Sequence, residues 1–204
     1  MAKRGDKLPA EFRQEWLERH RELKRAARKV VAAITTAAPT ADKELYDGIS
    51  SMYYGTAAEA RAALGDDPSK VEVACTEQLV AQHGDAERLI KTNGQLKLVR
   101  AYIRRKDLTF AQFKDYWLKT HAGLYKRVIA ETPVLRSMVS FALPPETGGN
   151  EPSFDAIIEL YFPSADDIAA LLSAPLLAQM RKDEENFVQV DAPSVGLVAE
   201  EFLL

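Results

Sequence analysis

The chain has 204 residues, 47% of them apolar and 28% charged, with 27 basic against 30 acidic side chains. That composition belongs to a globular protein able to bury roughly 70% of its extended-chain surface, and the near balance of charge gives no electrostatic case for nucleic acid or an anionic membrane. A single cysteine, Cys75, excludes an intrachain disulfide framework and a cysteine-rich zinc site, and no apolar run reaches the ~18 residues of a membrane span.

Residues 1–8 (MAKRGDKL) are polar, with no apolar stretch behind the charges. They read as neither a secretory signal nor a strand, and a cytoplasmic protein is expected. A helix is predicted from about Pro9. Its basic run (Arg13, Arg19, Arg21, Lys24, Arg25, Arg28, Lys29) is interleaved with Glu15, Glu18 and Glu22, the pattern of a solvated face. A short Ala-rich strand follows around Val30–Thr36, then a strand over residues 46–54 (YDGISSMYY), a small-residue segment TAAEARAAL and an Asp67-Pro68 step. A last strand is predicted at Arg88–Lys91. Thr92-Asn93-Gly94-Gln95 then reads as a type I′ hairpin turn into the next strand.

The second half is the clearer one. LKLVRAYIR (96–104) alternates and is predicted as a strand. Thr109 is placed to cap a helix that Pro133 ends. Strands are predicted over 134–143 and 154–162, joined by the turn-rich PPETGGNEPS. Ser164 caps a helix through Leu172, Pro175 opens another to about Phe187, and 194–203 forms the last strand. The order is βαββαβ, the ferredoxin-like split unit.

The two halves echo each other. AEFRQEWLERHREL (10–23) and AQFKDYWLKTHAGL (111–124) align Phe12, Trp16 and His20 with Phe113, Trp117 and His121 at an offset of 101. An F-x3-W-x3-H pattern arises by chance about once in 10⁵ positions. YDGISSMYY likewise echoes FDAIIELYF. Two modules are therefore expected, 1–92 and 95–204, the first degenerate and with its first strand missing or short.

The F-x3-W-x3-H pattern followed by F/Y-D-x-h-x-E-h-Y/F, where h is apolar, resembles the EthD family of the dimeric α+β barrel superfamily. The resemblance covers about 105 residues of module two and about 80 of module one, where Ser51 replaces the Glu159-type residue. It implies an α+β fold in which two ferredoxin-like units pack sheet against sheet into a barrel, here within one chain. Relatives include cofactor-free lyases, cyclases and monooxygenases of aromatic or polyketide-like compounds, and accessory proteins of catabolic gene clusters.

Candidate site residues follow from the same pattern. Phe113, Trp117 and His121 share one helix face, which places an imidazole with a pKa near ~6.5 at the end of an aromatic wall, fit for acid/base work; a helix-capping or carbonyl-bonded histidine is the alternative. In the strand, Asp155, Ile157, Glu159 and Tyr161 share the face turned to the barrel interior. Glu159 there could exchange a proton, or could pair with Arg100 or Arg136. Arg100 and Tyr102 are candidate ligand contacts from the first strand, with Tyr125, Asp155, His20 and Trp16 as further binding residues. His121 lies on the helix side of the sheet and Glu159 on the barrel side, so one site can use both only where the sheet opens. No metal cluster, G-x-G-x-x-G, phosphate loop, G-x-S-x-G or haem-ligand motif is visible. The expectation is a cofactor-independent lyase or isomerase acting on a small aromatic or carbonyl compound. A non-catalytic accessory binding protein and a cofactor-free monooxygenase are the alternatives. The larger pocket is expected in module two, with a homodimer covering the bare sheet edge of module one.

Overall fold

Helix α1 (Pro9–Leu23) buries Phe12, Trp16 and His20, the stripe set by their four-residue spacing. In the computed structural model, which describes residues 1–3, 5–23, 27–37, 46–65, 70–145, 151–192 and 195–204, α1 leads into β1 (Lys29–Ala37) and β2 (Gly48–Tyr53). The short helix α2 (Ala57–Ala62) is opened by a Thr56–Glu59 capping box, and β3 (Cys75–Gln82) follows. Lys24, Arg25, the Asp67-Pro68 step and part of the PPETGGNEPS connection lie outside the described residues.

After a four-residue helix α3 (Ala86–Leu89), module two forms β4 (Asn93–Tyr102), α4 (Phe110–Tyr116), a π-helical turn (Trp117–His121) and α5 (Ala122–Glu131). Then come β5 (Arg136–Ala142), β6 (Ala156–Phe162), α6 (Ala165–Ser173), α7 (Pro175–Glu184) and β7 (Gly196–Leu203). The local signals act as expected. Thr109 and Gln112 close a capping box on α4, Ser164 caps α6, and Pro175 stands at the start of α7; each such N-cap is worth about 1 kcal/mol.

The strands form one curled, wholly antiparallel sheet in the order β2-β1-β7-β4-β6-β5-β3. Its centre, β7-β4-β6-β5, is the ferredoxin-like sheet of module two. Each flank of that sheet takes a strand from module one: β1 pairs with β7, and β3 with β5. The curl brings the two outer strands, β2 and β3, toward each other. Ala2 bridges Gly48 at the start of β2 and Lys70 ahead of β3, and the Tyr53 hydroxyl donates to Glu77 across the remaining gap. The architecture is an α+β half-barrel built from one curled sheet of seven strands. At the position that β4 occupies in module two, the described residues of module one place the Ala2 bridge rather than a strand.

Two expectations about the joint are corrected. Residues 86–89 are helical, so no strand forms at Arg88–Lys91; the last strand of module one is Cys75–Gln82. Asn93-Gly94 is not a hairpin turn. Gly94 has φ +70 and is the extra residue between the pairs Asn93↔Phe202 and Gln95↔Glu201, so the left-handed freedom of glycine forms a bulge at the start of β4. The modules do share a continuous interface, but through β1–β7 and β3–β5 rather than through that turn.

The sheet has two apolar faces. On the helix side, Tyr102, Phe113, Trp117, Tyr125, Phe141 and Phe187 anchor a fully buried cluster; each large side chain buried there contributes roughly 1.5–3 kcal/mol. On the inner side, Val99, Ala101, Leu197, Ala199, Ala33 and Ile49 line the barrel.

Candidate functional site

On the helix side of module two the structure gathers most of the expected residues into two adjoining hydrogen-bonded groups. The His121 ring is fully buried. Its Nδ1 lies 2.7 Å from Asp183 Oδ2. The carboxylate can only accept, so Nδ1 carries the proton and Nε2 is left as a lone pair, buried without a hydrogen-bond partner among the described residues. Burial lowers the pKa of the ring, against the raising effect of Asp183, and favours its neutral form. Arg100 Nη1 donates to Glu184 at 2.7 Å, the Tyr102 hydroxyl donates to the same carboxylate at 2.7 Å, and the Tyr102 and Tyr125 hydroxyls are 3.0 Å apart. Phe113 and Trp117 wall these groups, with Trp117 stacked on Tyr125 at 5.5 Å. Asp183 and Glu184 were missed by sequence reasoning. The signal for Glu184 is its place four residues beyond Met180 and eight beyond Leu176, all three on the buried stripe of α7.

The inner face carries a second network. Lys97, almost wholly buried, holds Glu159 Oε1 at 2.5 Å and Glu201 Oε2 at 2.7 Å, and the Tyr161 hydroxyl donates to Glu201 at 3.1 Å. Burial works against the Lys97 ammonium, but Glu159 and Glu201 together outweigh it and raise its pKa above the ordinary lysine value. The expected partners of Glu159 are thereby corrected. Arg100 points to the helix side, and Arg136 pairs with Glu87. Lys97 reaches Glu159 because β4 and β6 pair Val99 with Glu159, which puts Lys97 one diagonal step away on the same face. Asp155 anchors Arg104 through both its guanidinium and its main-chain N–H.

A cavity of about 540 Å³ opens at the vacant strand position between β2 and β3. Its wall includes Trp16, His20 and Leu23 from the helix side, Ser50 and Met52 of β2, Glu77 of β3, and Ile157 and Glu159 from the inner face. A missing strand is a hole through a sheet, so residues from its two faces line one space. The larger pocket was expected in module two; this cavity is lined mainly by module one, with Ser140, Phe154, Ile157 and Glu159 of module two on its wall. The cause is β4: in module two Arg100 and Tyr102 on that strand pack beneath α4 and α5, with Tyr102 edge-on to His121. Among the described residues of module one no strand stands in that place, and Met1 lies on the cavity wall together with His20. His121 therefore does not line this cavity, whereas His20 and Trp16 do.

His20 is held on three sides. Its Nδ1 is 2.6 Å from the Trp16 carbonyl, its Nε2 is 2.9 Å from Ser50 Oγ, and its ring lies 4.2 Å from that of Trp16. Burial lowers its pKa, with the Trp16 carbonyl opposing. The neutral ring carries its proton on Nδ1 and presents Nε2 as a base. Trp16 in turn rests directly on Gly48, where a Cβ would meet indole Cε2 at 2.7 Å, so only glycine permits this seat. Cys75, also on the wall, has its thiol pKa pushed up to about 12, chiefly by burial, and is no thiolate at neutral pH.

Residues 105–191, within the second module, match the family model of the EthD domain. Among solved structures, the chain is similar to an ethyl tert-butyl ether D (EthD) family protein from Bacillus halodurans at 16% identity, with a TM-score of 0.41 over 51% of this chain and 95% of that one. A dimeric protein of ferredoxin-like fold from Bacteroides fragilis aligns at 14% identity and a TM-score of 0.43, over 54% and 99% of the two chains. An anthrone oxidase-like protein aligns at 12% identity and a TM-score of 0.49, over 85% and 90%. None of the curated proteins matches.

Proposed function

We propose that this EthD-domain protein is a cofactor-independent lyase or isomerase that binds a small aromatic or carbonyl compound at the vacant strand position and moves a proton on it. One observation carries the reading: His20, its Nδ1 bonded to the Trp16 carbonyl and its basic Nε2 facing Ser50, stands on the wall of a 540 Å³ cavity that also contains the Lys97-paired carboxylate Glu159. A neutral imidazole removes a proton next to a carbonyl, and the Lys97–Glu159 pair supplies fixed charge across the space. Trp16, Leu23, Met52 and Ile157 give the apolar surface that a flat ligand buries.

A second reading, a non-catalytic accessory protein that binds a catabolic intermediate, draws on a different observation. Within the EthD domain itself, His121 is sealed behind Tyr102, Tyr125 and Phe187. Solvent deuterium exchange separates the two readings. Small enones, aryl ketones and aromatic acids that raise the melting temperature are incubated in D₂O and followed by NMR. Exchange of the proton next to the carbonyl, lowered about 10²–10⁴-fold in His20→Gln, supports catalysis. Binding with no exchange supports the accessory reading. The cytoplasmic homodimer expected from the sequence has less edge to cover than anticipated, because Ala2 already bridges β2 toward β3; light scattering decides the oligomeric state.

A further inference from the structure

Ser50 Oγ lies at hydrogen-bond distance from the base, His20. The Trp16 carbonyl can only accept, so His20 Nδ1 must donate to it. His20 Nε2 is then an acceptor, and the Ser50 hydroxyl, 2.9 Å away, donates to it. The imidazole cannot swing off this line, since its ring packs against Trp16 and its far nitrogen is tied to the backbone. A hydroxyl bonded to a neutral imidazole whose other nitrogen is fixed by an acceptor is the working unit of an activated serine, with a main-chain carbonyl here in the orienting place.

The strand adds the second requirement. β2 bonds to β1 through its odd-numbered residues, as in the Thr35 N–H to Asp47 carbonyl bond that continues their register, while Gly48 exchanges both of its main-chain bonds with Ala2. Main-chain direction alternates along an edge strand, so Ser50 and Met52 also turn their N–H groups toward the vacant position. The cavity wall thus presents together a hydroxyl, its base and main-chain N–H groups directed into it. That set is what an acyl transfer needs to bind a developing oxyanion.

We infer that Ser50 and His20 form a nucleophile–base pair that hydrolyses carboxylic esters of small apolar or aromatic acids. The inference shares the cavity and the base with the proton-transfer reading, but it adds a covalent bond to Ser50 Oγ that proton transfer does not need. Ser50 Oγ bonds to the acyl carbon as its proton passes to His20 Nε2. The carbonyl oxygen becomes an alkoxide held by strand N–H groups. When it collapses, the bond to the alcohol oxygen breaks and His20 returns the proton to that oxygen. Water then adds to the acyl-serine, gives its proton to His20, and the acid leaves as the proton returns to Ser50. The sum is ester plus water to acid plus alcohol.

The full chain is treated with p-nitrophenyl butyrate and, separately, with a fluorophosphonate, and the adduct is located by peptide mass spectrometry. The expected result is one phosphonyl group per chain on Ser50, ester hydrolysis lowered at least about a hundredfold in Ser50→Ala and in His20→Gln, and an unchanged far-ultraviolet circular dichroism spectrum for both variants. An adduct on any other residue, no adduct at all, or hydrolysis that persists in Ser50→Ala overturns the proposal. The wild-type labelling result stands even if a variant misfolds. Ligand-induced melting shifts and deuterium exchange measured on Ser50→Ala separate the two readings: their persistence alongside unlabelled Ser50 overturns the nucleophile and leaves the proton-transfer site standing.

Discussion

Replacing Lys97 by methionine tests the inner network most directly. The Lys97 side chain is only 2% exposed and binds Glu159 and Glu201 together, whose side chains are 6% and 15% exposed. Methionine keeps the length and removes the charge, leaving two carboxylates facing each other across a nearly dry site. Removing one partner of a buried ion pair costs about 3–5 kcal/mol, which for a domain of this size is a fall in melting temperature of about 6–20 °C. The pKa of Lys97 is raised by folding, so its contribution is complete below about pH 10 and the full deficit is present at pH 8. Without the ammonium, one of the two carboxyls must take a raised pKa. An acid whose pKa is raised by folding opposes folding while ionised and stops opposing it as the pH falls through the raised value. The deficit of Lys97→Met should therefore shrink between pH 8 and pH 5, and adding Glu159→Gln should recover part of it at pH 8. Thermal melts of wild type, the two single variants and the double variant at both pH values form the required cycle. A deficit below about 1 kcal/mol, or one equal at the two pH values, would refute a buried, charged triad.

Trp117→Ala should cost about 3–5 kcal/mol in denaturant unfolding because the ring is fully buried; Trp16→Ala should cost clearly less, since its ring already borders open space. Gly48→Ala should destabilise by about 1–3 kcal/mol and weaken any cavity ligand, because its Cβ must displace the indole; unchanged melting and binding would contradict that contact. Folding lowers the pKa of His20, so the unfolded chain binds more protons there and stability falls as the pH drops through about 6.5 toward the folded value. His20→Gln should flatten the decline in melting temperature between pH 7.5 and 5.5, and an equally steep decline in the variant would count against a buried neutral ring.

Module two was legible because its local signals agree with its packing. Thr109, Pro133, Ser164 and Pro175 punctuate the helices, and the alternation of Asp155, Glu159 and Tyr161 against Ala156, Ile158 and Leu160 assigned the two faces of β6 correctly. Strand β3 was not legible: CTEQLVAQ is half exposed at the end of the sheet and carries no clean alternation, while the charged stretch 88–91 imitates one. The Asn93-Gly94 pair gave the right backbone conformation for the wrong purpose, since a bulge and a hairpin turn both need a left-handed residue. Residues 1–8, polar in the sequence, form no strand among the described residues beyond the Ala2 bridge. What could not be read from them was the consequence, because a hole depends on how far the two bordering strands close over it. With that hole, the obstacle foreseen between a helix-side histidine and a barrel-side carboxylate disappears, but for His20 rather than His121.

The seams β1–β7 and β3–β5 lie within one polypeptide. When a barrel of this kind is assembled from separate subunits, its seams obey an association equilibrium and part on dilution. Here each half is tethered at an effective concentration that short linkers set in the millimolar range. Opening is unimolecular, so the barrel and the gap between β2 and β3 persist at any protein concentration. The covalent joint also frees the two halves from having to be alike: one can be packed solid while the other keeps an opening that symmetry would otherwise have imposed on both or on neither.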